Sequence, residues 1–178
     1  FSLFGQASEG QAYSYTYERS DGAYGDDNWN GSRQLLYIPL ENDPNVVYGA
    51  NRDGEAFDQD AFNAFIAAEG LTRGEITGRN SQNADWHTSF DFKINQEIPG
   101  FMDDHRGNLF FIIKNVGNML NDDWGVMKQG QFVGNRMVGM SIEDGKYVYN
   151  EFNAGNEEQT YYKNASLWEM RLGVSYDF

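Results

Sequence analysis

The segment Ser166–Phe178, SLWEMRLGVSYDF, constrains the fold more than any other stretch of the chain. Trp168, Met170, Leu172, Val174, Tyr176 and Phe178 alternate with Glu169, Arg171, Gly173, Ser175 and Asp177. Side chains of a β-strand point to opposite faces with period two, so this strand has one apolar and one polar face. Ordinary strands run about 5–6 residues, whereas a tilted membrane-crossing strand needs about 9–11. The length of this segment fits the second kind. WHTSFDFKINQEI alternates almost as cleanly, with Trp86, Thr88, Phe90, Phe92 and Ile94 opposite His87, Ser89, Asp91, Lys93 and Asn95.

Extending the same reading gives about seven strands, at about 1–9, 11–19, 86–98, 107–120, 131–143, 146–153 and 165–178. Asp144-Gly145 between the fifth and sixth predicts a tight hairpin, because a type I′ turn needs positive φ at both central residues. Short and long connections alternate along this list, and residues 20–85 form the longest. That alternation is expected of an up-and-down membrane barrel with short turns at one rim and long loops at the other. With Phe178 at the periplasmic rim, every short turn falls on that side. The expected fold class is therefore all-β, with antiparallel up-and-down strands forming a transmembrane β-barrel wall.

Composition agrees and excludes alternatives. The chain has 178 residues with 20 glycines and 3 prolines, and 16% of it is aromatic, as an all-β chain with many turns requires. No run of eighteen apolar residues exists and the mean hydropathy is −0.67, so a membrane-spanning helix is excluded while a barrel is not. The formal net charge of −14 argues against a nucleic-acid partner, which needs a basic surface. Without cysteine there is no disulfide, thiolate metal site or cysteine nucleophile. The opening FSLFGQASEG has no initiator methionine or signal peptide and is already strand-like, so a fragment or processed product is expected.

Within the long loop, DQDAFNAFIAAEG predicts a short helix, with Asp58 as N-cap, Gly70 just past the C-terminus and Phe62, Phe65 and Ile66 as an apolar stripe. So short a helix is marginal alone and must dock, with the barrel mouth as one candidate. DGAYGDDNWNGS gathers Asp26, Asp27, Asn28 and Asn30, an oxygen-rich set suited to calcium but without EF-hand spacing. A solvated turn is the competing reading. Trp29 beside them is a substrate-side candidate that can stack on a sugar or chelate ring. Trp86, Trp124, Trp168, Tyr147 and Tyr149, with Tyr161 and Tyr162, lie near predicted strand ends, where aromatic residues favour the membrane interface. NDDWG (121–125) reads as a tight structural loop. His87 and His105 have no ligand partner at useful spacing, and no nucleophile elbow or phosphate loop occurs, so enzymatic activity is not expected.

Several segments resemble the C-terminal part of the TonB-dependent outer-membrane receptors, particularly their Oar-like branch. They are SEGQAYSYTY, LLYIPLENDPNVVY, GRNSQNADWHTSFDFKINQEIPGF, LFFIIKNVGNMLNDDWG and the aromatic-terminated last strand, in family order. The resemblance implies a barrel of about 22 strands, plugged by an N-terminal domain that these residues do not include. It implies outer-membrane lipid, upstream strands, the plug and an inner-membrane TonB-type energising complex as partners, with scarce or bulky substrates. It further implies that Leu172, Val174, Tyr176 and Phe178 form the signal read by the barrel-assembly machinery. Location in the outer membrane of a Gram-negative bacterium follows, and the chain alone is not expected to transport.

Two other readings stay open. A sheet with free edges and an apolar face can self-associate into an extracellular filament or oligomer. A soluble acidic carbohydrate- or calcium-binding β-domain would instead bury its apolar strand faces against each other.

Overall fold

The computed structural model describes residues 1–21, 33–131, 134–157 and 159–178. The protein is mostly β and divides into two compact units. Phe1–Gly10, Asp85–Gln129 and Tyr161–Phe178 make the first; Gln11–Ala84 and Gly130–Thr160 make the second.

The first unit is built on a four-stranded antiparallel sheet. Its strands are β1 (Ser2–Ser8), β6 (His87–Pro99), β7 (Arg106–Lys114) and β12 (Glu169–Asp177), in the order β1-β6-β7-β12. The turn 100–105 joins β6 to β7, while the connections 9–86 and 115–168 leave and rejoin the sheet at its opposite end. Short and long connections alternate among these four strands, but the short turn expected at Gly10-Gln11 is not one of them, because Ser8 leads into the long connection 9–86.

The second unit holds β2 (Ala12–Tyr13), β3 (Tyr15–Asp21), β4 (Val46–Tyr48), β5 (Gln82–Asn83), β9 (Asn135–Glu143) and β10 (Lys146–Phe152). Its main sheet runs β3-β9-β10-β4, with β3 parallel to β9 and β4 parallel to β10. A single up-and-down row of seven strands cannot contain parallel neighbours, so that expectation is corrected: the second, fifth and sixth predicted strands belong to a separate mixed sheet. The predicted strand 11–19 is split into β2 and β3, and 107–120 ends at Lys114, followed by the helical turn α2 (Val116–Leu120). The two-residue strands β8 (Lys128–Gln129) and β11 (Thr160–Tyr161) complete the set, and no closed barrel is formed by the described residues.

Burial explains the separation. Tyr13 to Tyr17 are buried on both strand faces, and Met137, Val138 and Met140 are buried in succession. A membrane wall strand instead alternates lipid-facing and lumen-facing residues, while parallel strands are commonly covered on both sides. The core packs these residues with Leu36, Ile38, Phe57 and Tyr149. Helix α1 (Gln59–Ala68) forms as expected: Asp58 Oδ1 accepts from the Ala61 amide at 2.9 Å, and Gly70 takes φ 61°. It docks on its own unit's core, not on a barrel mouth, with Phe65 edge-on to Tyr15 at 4.9 Å and Phe62 against Phe152 at 5.3 Å. Asp144 and Gly145 both have positive φ, giving the predicted β9–β10 hairpin.

Candidate functional site

The register of the first unit's sheet places its apolar residues in rows, because directly opposed residues share a face. Leu3, Phe92, Ile113 and Met170 form one row. Ile94, Phe111 and Leu172 form the next, then Gln96, Leu109 and Val174, then Ile98, Gly107 and Tyr176. The alternations read in β6 and β12 therefore coincide on one sheet face. The opposite face carries Ser2, Lys93 and Arg171 with Ile112, and further along Glu97, Asn108 and Ser175. Phe4 and Phe110 interrupt its polarity.

Much of the apolar face is uncovered, although Ile113 is buried and Phe92 and Phe111 are half-buried. Leu172 and Val174 are 70% and 68% exposed, and Leu3, Phe90, Ile94, Ile98, Leu109 and Met170 are exposed as well. An isolated exposed leucine is ordinary, but a contiguous face of this kind marks an interaction surface. The nine residues of β12, at about 3.3 Å each, span about 30 Å. A tilt of about 40° projects that to about 23 Å, close to the ~25 Å apolar band of outer-membrane barrels.

Aromatic side chains mark both ends of this face. At the end where the long connections leave, Trp86, Trp124 and Trp168 are exposed, and Trp86 and Trp124 line one groove of about 300 Å³ with Phe90. Trp124 is presented by α2 and the turn that follows it. Asn115, at φ 50°, donates through Nδ2 to the carbonyls of Gly125 (2.8 Å) and Ser166 (2.7 Å), and its amide donates to Asp91 Oδ1 at 2.9 Å. Asn118 Nδ2 donates to the carbonyls of Asp122 and Trp124, each at 3.0 Å. The NDDWG segment is thus a tight structural loop, tied by Asn115 and Asn118 ahead of it, that holds Trp124 at this end of the sheet.

At the other end, Tyr176 ties the last strand to the β6–β7 turn. Its hydroxyl accepts from the Phe101 amide at 3.0 Å and lies 2.9 Å from His105 Nδ1. Phe178 is almost fully exposed, as is Phe101. Leu172, Val174 and Tyr176 accordingly lie along one face of an edge strand, with Phe178 just past its end. Glycines on the two edge strands are covered by aromatic rings of their neighbours: Phe90 lies over Gly5 and Phe110 over Gly173. Such aromatic cover compensates the packing that an edge glycine lacks.

Two predicted interface residues are placed elsewhere. Tyr149 is fully buried in the second unit, sharing a 2.7 Å hydroxyl contact with Tyr17 and donating to the Tyr37 carbonyl at 2.7 Å. Tyr147 lies on β10 of the same unit and is exposed. A period-two pattern alone does not distinguish a strand that buries Tyr149 in a core from one with a membrane face. His87 is buried, and neither ring nitrogen has a hydrogen-bond partner among the described residues.

The calcium candidates Asp26, Asp27, Asn28 and Asn30, and Trp29, lie outside the described residues. Among the described residues no group of three or more His, Asp or Glu side chains is placed to hold a metal ion. The sequence reading missed the Asn115 and Asn118 loop ties and the Tyr176–His105 contact. Only the asparagine-rich wording of NVGNMLNDDWG signalled the first.

Ionisable groups in the second unit are shifted by local contacts. Burial, followed by the hydrogen bond to Glu69 (2.7 Å), pushes the Tyr15 phenol far above its ordinary value. The Tyr37 hydroxyl, donating at 2.7 Å, and the Asn45 amide hold the Asp43 carboxyl below its usual range. Comparison of the chain with protein-family models, with curated proteins and with solved structures finds no match.

Proposed function

We propose that the first unit is a stretch of outer-membrane barrel wall whose apolar face meets lipid, in a receptor of the TonB-dependent kind. One observation carries this reading: a four-stranded antiparallel sheet exposes a continuous apolar face of bilayer height, rimmed by tryptophan and phenylalanine at its two ends. In this reading the outer edges of β1 and β12 pair with further strands, and Leu172, Val174, Tyr176 and Phe178 serve as the barrel-assembly signal. The second unit is substrate-side structure, and energy for transport comes from an inner-membrane complex acting on a plug domain. Neither the wall nor the second unit is assigned a catalytic role.

The free edges also favour a second reading, self-association of the chain into an extracellular oligomer or filament. Flotation of the whole chain with phospholipid vesicles separates the two. Barrel-wall character predicts co-flotation that survives a high-salt wash, since apolar burial is not screened. A chain that stays in the aqueous phase as regular oligomers or fibres contradicts the wall reading and supports the second.

A further inference from the structure

Arg33 and Arg79 stand apart from the other guanidinium groups. Arg73 donates to the Pro39 carbonyl and Asn63, Arg106 pairs with Glu97, and Arg171 pairs with Glu169. Arg52 and Arg136 also have partners. Among the residues whose side chains are described, Arg33 and Arg79 have none, and both line one cleft of about 620 Å³ in the second unit. In a chain with 27 acidic against 13 basic residues, two guanidinium groups at one concavity with no partner among the described side chains are not a consequence of excess positive charge.

The backbone beside each arginine is tied into the unit. Tyr17 donates to the Gln34 carbonyl (3.1 Å), Leu36 to Tyr15 (3.0 Å) and Thr77 to Leu36 (2.8 Å), so the segment carrying Arg33 is held between β3 and the segment leading to Arg79. Asn80, beside Arg79, sits at φ 51° with its amide donating to the Ser14 hydroxyl at 2.7 Å. Leu35 and Ile76 add an apolar flank, Ile76 being 65% exposed. A guanidinium fork matches a carboxylate or phosphate through paired hydrogen bonds, and the cleft volume lies in the usual range for small ligands, about 300–1,000 Å³.

We infer that this cleft binds a small oxyanion-bearing ligand, with Arg33 and Arg79 clasping a carboxylate or phosphate group and Leu35 and Ile76 contacting an apolar part of the same molecule. The net negative charge does not forbid this, because charges farther than about 8–10 Å are largely screened at physiological ionic strength. The inference rests on the second unit alone and does not depend on what covers the first unit's sheet.

The test is a titration of the whole 15N-labelled chain with inorganic phosphate, sodium acetate and phenyl phosphate at constant ionic strength, following the arginine Nε–H resonances. Arg33 and Arg79 should shift together and saturably, and those of Arg73, Arg106 and Arg171 should not. Phenyl phosphate should bind more tightly than inorganic phosphate, and a preference between phosphate and acetate identifies the oxyanion. Arg79→Ala should weaken the Arg33 response about tenfold, the loss expected for one charge-assisted contact. Arg79→Lys, which keeps the charge without the fork, should lie between the two. Linear shifts spread over all arginines, or an Arg33 response unchanged by Arg79→Ala in a folded variant, would overturn the inference.

Discussion

Asn115 shows how much one side chain can carry. Its left-handed backbone lets the amide reach Asp91 while Nδ2 satisfies two carbonyls. Asn115→Ala removes both carbonyl contacts and keeps an unfavourable φ, so it should lower stability by about 2–4 kcal/mol in urea unfolding. Gly125→Ala should be comparably harmful, since its φ is 62° and a Cβ there would collide with Asn115 Oδ1. Asp43 gives a pH signature. Its carboxyl is held below its usual pKa, so the associated stabilisation is present above the unfolded value near 3.8 and is lost as pH falls through the lower, folded one. The melting temperature of the native chain should exceed that of Asp43→Asn at pH 7, and the difference should vanish once Asp43 is protonated. An unchanging difference down to pH 2 would remove Asp43 from that account.

Elements differ in how openly the sequence declares them. Helix α1 is legible because every signal for it is local: a capping aspartate, an apolar stripe and a glycine past its end. What α1 packs on is not local, and only the fold shows Phe62 among Phe57, Phe65, Tyr149 and Phe152. Phe62→Ala should cost about 3–5 kcal/mol in thermal or denaturant unfolding. Strands β6 and β12 are legible for the opposite reason to β3 and β9: their uncovered apolar face leaves the period-two pattern intact. Tyr15, Thr16 and Tyr17 of β3 are buried on both faces and β3 pairs in parallel with a strand far along the chain, which no short-range pattern reports. On the first unit's sheet, if its apolar face meets lipid as proposed, the two faces should respond differently to charge. Leu172→Arg should cost about 2–4 kcal/mol of stability in lipid, while Ser175→Arg, on the other face of β12, should cost about 1 kcal/mol or less.

At the scale of the whole molecule, two kinds of β-structure share one chain. One sheet leaves much of one apolar face uncovered; the other gathers tyrosines, phenylalanines and methionines into a core. The sequence announces strand content, hairpin turns and the apolar faces of the first unit. It does not announce the second unit, because residues 11–84 and 130–160 are far apart in the chain and meet only through tertiary pairing. The central claim, that the first unit's apolar face contacts lipid, is testable by site-directed spin labelling. The absence of native cysteine makes single-cysteine variants at 170–176 directly usable. With the whole chain in phospholipid bilayers, oxygen accessibility should be high at 170, 172 and 174 and low at 171, 173 and 175. Absence of that alternation, or an apolar face shielded from oxygen and bilayer alike, would contradict the assignment.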